Sequence, residues 1–547
     1  MVKVFYNYYF MFLNPSVIRP LWVVLILLFF QSCGLLRNEK SINTPEIVVE
    51  MNLREVENDQ LTVLVDPLYR FTGEVKFYLP KVVPGTYENS NFGRFVSDLK
   101  AFDNKGNLLE VERIDTNTWR IPKGEKLDRL SYKADDTFDG NRGADIYPMG
   151  GTKIEKGKVF LLNLHGFVGY FEGAQDWPYK LIIDSPKDLQ PYTAMQTELR
   201  TKERDVFHAK RYFNIIDEPI LYTQDNSISF ELDAIKVNLA VHSPEGRYQA
   251  TDFEATIFDM MQAQKRFLGP ANTTESYDIL LLLMDKNELD HFQGMQGALE
   301  HHRSTTVVFY ELIELERLKK YMTDVVSHEF FHTLTPLNIH SEQVHNFNYN
   351  EGVMSQHLWM YEGTTEYFSH LFQVQENLID EKEFYDRILL KINRSKGYND
   401  SMSFTEMSTN IVNEPYQSNY SNVYQKGALI NMCLDLLIRE MTQGEKGILT
   451  ILQQLAEKYG VDKPFEDKAL IEEITAMTSD VVGAFFEKHI QGNTPIDYNV
   501  FFAKVGLHIT EENSLEKTAT SVPVLRSVES PNSSQLALRA AWLQNDN

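Results

Sequence analysis

Residues 324–334 read DVVSHEFFHTL, where the motif H-E-x-x-H lies within an apolar pattern of helical period. Positions i and i+4 share one face of a helix, so His328 and His332 can direct two imidazoles at one Zn²⁺ ion. Glu329 then lies beside the water on that ion, which is the arrangement of a hydrolase. The apolar neighbours predict a helix held in a core, which a metal site requires because its ligands need fixed positions.

The motif by itself leaves the zinc site one ligand short, because catalytic zinc typically has three protein ligands and a water. We expect Glu362 to be the third ligand, from a second helical pattern thirty positions after His332. Its aromatic neighbours predict a buried carboxylate that a cation would stabilise, and the alternative is a solvated helix charge. Glu366, one turn further on, is expected to hydrogen-bond the outer nitrogen of a ligand histidine, or else to be a surface residue. The alternative third ligands are His340, His345, His357 and His370.

The composition describes a globular protein and excludes one class of partner. The chain has 547 residues, of which 43% are hydrophobic and 12% aromatic, and its net charge is −24. This length exceeds what one hydrophobic core supports and predicts two to four domains. Since the acidic excess would repel a phosphate backbone, we exclude nucleic acid as the main partner.

Residues 1–33 have the pattern of an export signal. Basic residues precede the ten apolar residues 21–30, a run shorter than the ~20 that span a bilayer. The small residue before Cys33 resembles a bacterial lipobox, which would make Cys33 the lipidated first residue of the mature protein; the alternative is an uncut membrane anchor. We therefore expect an extracytoplasmic bacterial lipoprotein, in the periplasm or at the cell surface, anchored to the membrane by its lipid. The other cysteine, Cys433, is expected to be buried and unreactive.

The rest of the chain divides by pattern into an α+β multidomain protein. Alternating apolar residues between Gly and Pro turns predict an antiparallel β domain over residues 46–235, whose expected role is structural support or shaping of a cleft. Residues 236–500 open with strand, helix and strand, contain the metal motif and become helical beyond Glu362. This second region is the expected catalytic domain, with a helical carboxy-terminal part.

Several segments resemble one known family. They are HEFFH at 328–332, LWMYEG at 358–363, VYQKGAL at 423–429, VPGTY at 83–87, RFVSDL at 94–99 and NTWR at 117–120. Over roughly residues 46 to 510, with these segments in the family's order along the chain, the sequence resembles the glycyl aminopeptidase family of zinc metallopeptidases, which is part of the gluzincin group. The resemblance implies a thermolysin-like α/β catalytic domain with a helical subdomain, peptide substrates, bound Zn²⁺ and Glu362 as the third ligand.

The same resemblance implies roles that the residues alone do not specify. It makes Tyr424 the phenol that hydrogen-bonds the tetrahedral oxyanion, a role worth a few kcal/mol when the donor is preset; the alternative is a core tyrosine. Residues 297–301, GALEH, are similar to a Gly-Ala-Met-Glu-Asn element whose glutamate holds the substrate's α-amino group. Here Leu replaces Met and His301 replaces Asn. The implied substrate-binding residues are Gly297, Ala298 and Glu300.

The carboxy-terminal tail resembles part of a further domain. Residues 523–531, PVLRSVESP, resemble the opening of the PDZ-like domain of family members, and 513–547 is expected to be a partial PDZ-like segment.

We expect a zinc-dependent aminopeptidase that removes amino-terminal residues, Gly or Ala among them, by metal-activated water. The alternatives are a zinc endopeptidase, in which Glu300 only lines the cleft, and a non-catalytic peptide-binding lipoprotein.

Overall fold

The computed structural model describes residues 45–139, 143–271, 273–512 and 522–544. The predicted export signal over 1–33 and the predicted lipidation site at Cys33 lie outside these residues. Within these ranges, no helix combines the length and the apolar character that crossing a membrane requires.

The amino-terminal region is built from sixteen strands in three sheets. An eight-stranded sheet has the order β14-β15-β12-β1-β2-β8-β4-β5, and two four-stranded sheets have the orders β13-β16-β10-β9 and β11-β3-β7-β6. The strands are β1 (Ile47–Asn52), β2 (Gln60–Pro67), β3 (Val75–Tyr78), β4 (Val96–Phe102), β5 (Leu108–Leu109), β6 (Glu112–Arg113), β7 (Thr118–Ile121), β8 (Arg129–Asp135), β9 (Lys153–Glu155), β10 (Val159–Leu162), β11 (Tyr170–Phe171), β12 (Tyr179–Asp184), β13 (Gln190–Tyr192), β14 (Gln196–Arg200), β15 (Asp205–Ala209) and β16 (Ile220–Thr223).

Alternation of side chains explains the core of this region. In β2, Leu61, Val63 and Val65 are completely buried, and the residues between them face outward. One pairing differs from the expected antiparallel domain, because β1 and β12 run parallel, with Ile47 opposite Tyr179. Apolar alternation specifies which face of a strand is buried and carries no information about the direction of its neighbour.

The predicted catalytic region opens with a five-stranded sheet of order β17-β18-β19-β21-β20, formed by β17 (Ser227–Leu232), β18 (Ile235–His242), β19 (Ser276–Met284), β20 (Gly297–Glu300) and β21 (Ser304–Tyr310). Three central strands are parallel, and the two edge strands are antiparallel to their neighbours. From Tyr277 onward β19 is buried, as expected for a central strand covered on both faces. The edge strand β20 carries the GALE segment.

Helices make up most of the remaining chain. They are α1 (Tyr212–Ile216), α2 (Glu254–Leu268), α3 (Lys286–His291), α4 (Leu315–Phe331), α5 (Glu342–His345), α6 (Leu358–Gln375), α7 (Glu381–Ser395), α8 (Phe404–Thr409), α9 (Asn422–Met441), α10 (Ile448–Lys458), α11 (Leu470–Met477), α12 (Asp480–Phe486), α13 (Tyr498–Phe502) and α14 (Ser533–Leu543). The expected α+β class, with an amino-terminal β domain and a helical carboxy-terminal part, is confirmed. Cys433 is completely buried in α9.

The described part of the tail packs onto the helical region. Strand β22 (Leu507–Glu512) pairs with β23 (Val522–Ser527), and α14 follows. Trp542 of α14 is completely buried, and its indole N–H donates to the Tyr367 hydroxyl over 2.8 Å. Helix α14 therefore packs against α6 through Trp542. The PDZ-like identity of the tail stays a prediction.

Helices α6 and α9 approach each other closely at two glycines. A Cβ atom on Gly363 would lie 2.6 Å from the carbonyl carbon and oxygen of Gly427 and 2.8 Å from the Asn431 side chain. Asn431 spans this contact, because its amide donates to the Trp359 carbonyl and its oxygen accepts from Thr364. The contact sets the depth of α6, the helix that carries Glu362.

We expect Gly363→Ala to lower the free energy of unfolding by about 1–3 kcal/mol, because the added methyl overpacks the helix contact. The sign of this change is informative, because replacing Gly by Ala inside a helix otherwise stabilises a protein by roughly 1 kcal/mol. Urea denaturation measures the free energy of unfolding. Gly460→Ala is the control, because its Cβ would meet its nearest neighbour, Asn338, at an ordinary 3.5 Å. An unchanged or raised stability of Gly363→Ala would contradict the close approach.

Candidate metal centre and active site

Helix α4 carries the H-E-x-x-H motif at its carboxy-terminal end. Val326 and Phe330 are completely buried and anchor the helix in the core. The helix ends at Phe331, and His332 caps it with helical dihedrals, φ −61° and ψ −22°. The imidazole centroids of His328 and His332 are 4.9 Å apart, as the i, i+4 spacing predicts.

Glu362 reaches both imidazoles from α6. Its Oε2 lies 3.5 Å from Nε2 of His328 and 3.6 Å from Nε2 of His332. Zinc bonds of 2.0–2.2 Å at tetrahedral angles place neighbouring ligand atoms about 3.3 Å apart, so these distances fit one zinc ion. The structure therefore brings the three predicted ligands to one point.

The electrostatics of this point also favour a cation. Burial lowers the pKa of His332 to about 4, so its imidazole is neutral and can donate a lone pair. Burial also lowers the pKa of His328, but Glu362 and Glu366 have the larger effect. Together they raise the pKa of His328 well above its usual value. The carboxylates thus stabilise a positive charge where the ligand atoms meet, and Zn²⁺ fits this donor set.

The outer nitrogens of both histidines are held by hydrogen bonds. His328 Nδ1 lies 2.8 Å from Oε2 of Glu366, and His332 Nδ1 lies 3.1 Å from the Thr335 carbonyl. Both contacts use Nδ1 and direct Nε2 of each ring toward the candidate metal position. Burial would raise the pKa of Glu366, but Lys391 and His328 hold it well below its usual value. Lys391, whose Nζ contacts Glu366, was not anticipated from sequence.

Tyr87 contacts Glu362 from the β domain. Its hydroxyl donates to Oε1 of Glu362 over 2.8 Å, so one carboxylate oxygen is held and the other faces the histidines. Tyr87 is buried and has φ +48°, in the loop between β3 and β4. The predicted role of this domain was only support or cleft shaping, so the contact was not anticipated from sequence. The segment VPGTY was the available indication, because it already belonged to the family resemblance.

Glu329 and Glu300 lie close together beside the candidate metal site. One oxygen of each carboxylate and a ring nitrogen of His332 are all within 4.8 Å of one another. Burial raises the pKa of Glu329 to about 8. Burial, followed by repulsion from Glu362 and Glu329, raises the pKa of Glu300 well above its usual value. The position of Glu329 beside the candidate ligands is that of a proton acceptor, and the raised pKa values show that the crowded carboxylates favour an additional cation or proton.

Tyr424 lies beside His328, at the start of α9. Its ring centroid is 5.7 Å from that of His328, and its hydroxyl is 2.6 Å from the Tyr420 hydroxyl. Burial raises the pKa of Tyr424 well above its usual value, so the phenol stays neutral and can donate. Tyr420, which fixes this hydroxyl, was not anticipated from sequence.

A groove of about 650 Å³ opens in front of these residues. His328, Glu329 and Tyr424 line it, together with Gly297 and Ala298 of β20. Its other wall includes Arg387, Lys391 and Arg394 of α7. Two of the three predicted substrate-binding residues, Gly297 and Ala298, therefore share one groove with the predicted catalytic residues, whereas Glu300 lines a neighbouring cavity.

The four alternative third ligands lie elsewhere. His340 Nε2 is 3.0 Å from His345 Nδ1, His357 Nε2 is 2.6 Å from the Asp467 carbonyl, and His370 Nε2 is 3.5 Å from Glu366. Within the described ranges, none of the four joins a group of three candidate ligand atoms. The choice of Glu362 thus agrees with the geometry.

We expect Glu366→Gln to weaken zinc binding by about 10- to 100-fold, because the amide neither orients His328 as firmly nor raises its basicity. Competition against a chromophoric chelator measures the affinity. Glu383→Gln on α7 is the control, because Glu383 pairs with Lys320 and Arg387 at the surface. Equal affinities of the two variants would show that His328 needs no carboxylate partner.

Two family models match the chain. The model of the Peptidase M61 N-terminal domain matches residues 49–224, and that of the M61 glycyl aminopeptidase matches residues 321–430. Together they cover a little over half of the 547 residues. A search of curated proteins returned no match.

Solved structures share the fold. An aminopeptidase N family protein from Idiomarina loihiensis is 19% identical with a TM-score of 0.73, over 87% of this chain and 81% of that chain. A mutant M1 zinc metallopeptidase from Deinococcus radiodurans, bound to a Tyr-ser-ala substrate, is 13% identical with a TM-score of 0.52, over 83% and 95%. Native yeast LTA4 hydrolase is 14% identical with a TM-score of 0.50, over 86% and 72%.

These matches confirm the family resemblance and the expected enzyme class. The two family models match in the order of the two structural regions, the β domain first and the segment with both candidate metal helices second. The protein therefore belongs to the M61 glycyl aminopeptidase family and is a zinc metallopeptidase.

Proposed function

We propose that this protein is a zinc-dependent aminopeptidase that removes the first residue from peptides with a free amino terminus. The observation that carries the proposal is the position of Glu300, whose carboxylate lies within 4.8 Å of ligand atoms of Glu329 and His332. An ammonium group bound to Glu300 by charge-assisted hydrogen bonds has one residue between itself and the scissile bond. An aminopeptidase is defined by cleavage of the first peptide bond, which is the bond that this spacing places at the metal site.

His328, His332 and Glu362 would hold the Zn²⁺ ion. When bound, the ion supplies a Lewis acid for the peptide carbonyl and lowers the pKa of the attacking water. Glu329 accepts the proton of that water and passes it to the leaving amine. The Tyr424 hydroxyl donates a hydrogen bond to the oxygen on which negative charge develops, and a preset donor lowers the barrier by a few kcal/mol.

Charge balance supports the same assignment. Glu300 and Glu329 form one group of candidate ligands with His332, Glu362 forms another with the same histidine, and Glu329 and Glu362 are almost completely buried. Buried carboxylates need cations or protons, since an isolated charge in a protein interior is expensive. A zinc ion on one side and a substrate ammonium on the other supply this positive charge. An internal peptide segment would bring no ammonium, which disfavours the endopeptidase.

The groove gives the rest of the peptide a path away from the site. Gly297 and Ala298 leave backbone exposed along one wall, and α7 forms the other. First residues as small as Gly and Ala need no side-chain pocket, so both are substrates in this proposal.

We also propose that Cys33 carries the lipid that holds the enzyme outside the cytoplasm, as the pattern of residues 1–33 suggests.

We expect Glu329→Gln to retain zinc and to lose about 10²–10⁴-fold in kcat, because the amide cannot accept a proton. Metal content by mass spectrometry, with and without a chelator, and hydrolysis of an unblocked peptide are the two measurements. Glu316→Gln, at the exposed start of the same helix, is the control. Undiminished hydrolysis by Glu329→Gln would remove the mechanism, and a wild type that binds zinc without hydrolysing peptides would favour the non-catalytic alternative.

We expect the wild type to cleave a free-amine peptide about 10- to 100-fold faster than its acetylated twin, since a hydrogen bond to a charged group is worth roughly 1.5–3 kcal/mol. Gly85→Ala should reduce this ratio. A Cβ on Gly85, where φ is +83°, would lie 2.8 Å from both carboxylate oxygens of Glu300 and displace them. Gly150→Ala is the control in the same groove, because its nearest contact is 3.3 Å. Equal cleavage of the two peptides by the wild type would establish the endopeptidase instead.

A further inference from the structure

Helix α7 carries a buried cation to which the proposed reaction assigns no role. Lys391 is only 5% exposed, although its helix forms one wall of the groove. An ammonium group at this depth requires partners, because an unpaired charge in a protein interior is expensive. Lys391 has one partner on α6 and one on α9, so it connects the helices that carry Glu362 and Tyr424.

The first partner is Glu366, which lies behind the candidate metal site. Lys391 Nζ donates to Oε1 of Glu366, and the other carboxylate oxygen, Oε2, lies 2.8 Å from Nδ1 of His328. A carboxylate that a cation holds at one oxygen keeps a fixed direction, and here that direction sets the orientation of the His328 ring. Lys391 therefore acts on a candidate metal ligand through Glu366.

The second partner is the backbone of Tyr424. Lys391 Nζ donates to the Tyr424 carbonyl over 3.2 Å, in the first turn of α9. From the same residue, the phenol ring extends to within 5.7 Å of the His328 ring, measured between centroids. A hydrogen-bond donor stabilises developing charge best from a preset position. Because Lys391 holds the backbone of this residue, it contributes to the position of the proposed oxyanion donor.

Helix α7 is itself fixed against the helix that carries the metal motif. Arg387, one turn before Lys391, donates to Oδ1 of Asp324 over 3.0 Å, and Asp324 lies one turn before His328 on α4. Helix α7 also packs against α6 and α9. The ammonium group of Lys391 is thus presented from a helix that is tied to its surroundings, as a group that positions others requires.

Direct binding of substrate is a different role that the groove would allow, because Lys391 is among its lining residues. The contacts of Lys391 argue against this role, since its side chain is 7% exposed and its ammonium group is bound to Glu366 and to the Tyr424 carbonyl. Arg394, one turn further along the same wall, is exposed and is the better placed cation for a substrate carboxylate.

We propose that Lys391 is a positioning residue that links the two halves of the proposed active site. It orients Glu366 behind His328, and it holds the backbone that carries Tyr424. The first part of this inference requires only the candidate metal site. The second part rests on the proposed aminopeptidase function, because only that reaction gives the Tyr424 hydroxyl its role.

Zinc affinity of the full chain tests the first part without any turnover. We expect Lys391→Met to weaken zinc binding by about 10-fold, because Glu366 then orients His328 less firmly. In the Glu366→Gln background the same change should add little, since the carboxylate that Lys391 orients is already gone. A lysine that only stabilises the fold would weaken both backgrounds equally. Competition against a chromophoric chelator measures the four affinities, and either equal losses or an unchanged affinity of Lys391→Met overturns this part.

Turnover at saturating zinc tests the second part. We expect Lys391→Met to lower kcat for an unblocked tripeptide by about 10-fold and to leave KM nearly unchanged, because the phenol loses its preset position. In the Tyr424→Phe background the loss should be at least about 3-fold smaller, since the hydroxyl is absent there. Losses of equal size overturn the role toward Tyr424. A rise in KM for peptides with a free carboxyl terminus, but not for amidated ones, would make Lys391 a substrate-binding residue instead.

A matched substitution on the same helix is the control for both measurements. Lys382→Met removes a lysine that is 82% exposed and pairs with Asp386, so it should keep the wild-type zinc affinity and kcat. Lys391→Gln is the second variant where Lys391→Met fails to fold, and it should show the same dependence on Glu366. A wild type that cleaves no peptide, with the expected zinc affinities, overturns the proposed function and the Tyr424 part, and supports the Glu366 part.

Discussion

The cost of burying carboxylates governs the centre of this protein. Glu329 and Glu362 are almost completely buried, and Glu300 lies close enough to repel both. Such a cluster is stable only with positive charge among its members, because desolvated anions in contact repel strongly. A zinc ion held by the two neutral imidazoles and Glu362, and in the proposed reaction a substrate ammonium, would supply that charge. The family's metal chemistry and the proposed preference for a free amino terminus therefore meet the same electrostatic requirement.

Packing outside the site keeps its ligands in place. Four phenylalanine rings join α2, α4 and α6, with Phe267, Phe331 and Phe368 in edge contacts of 5.2–5.6 Å and Phe372 beside Phe331. The glycine contact between α6 and α9 sets the depth at which Glu362 lies. Because these contacts fix the helices before any ligand binds, the metal site requires little rearrangement, which favours both affinity and rate.

The β domain completes the active site as well as supporting it. Its loop over residues 83–87 brings Tyr87 to Glu362 and Gly85 to Glu300, so one short segment holds a candidate metal ligand and the candidate α-amino site. Gly85 of the same loop lines both the groove and a neighbouring cavity of about 370 Å³. A change in this loop would thus affect metal position and substrate position together.

The sequence by itself determined what depends on local spacing. The i, i+4 period predicted that His328 and His332 share a helix face, buried aromatic surroundings favoured Glu362, and apolar alternation predicted the β domain. The tertiary structure decided which contacts remote segments make with the site, because residues that meet only in the folded chain leave no periodic pattern in the sequence. Tyr87, 275 positions before Glu362, and Lys391 behind Glu366 are examples. Likewise, the parallel pairing of β1 with β12 exists only once the strands have assembled into their sheet.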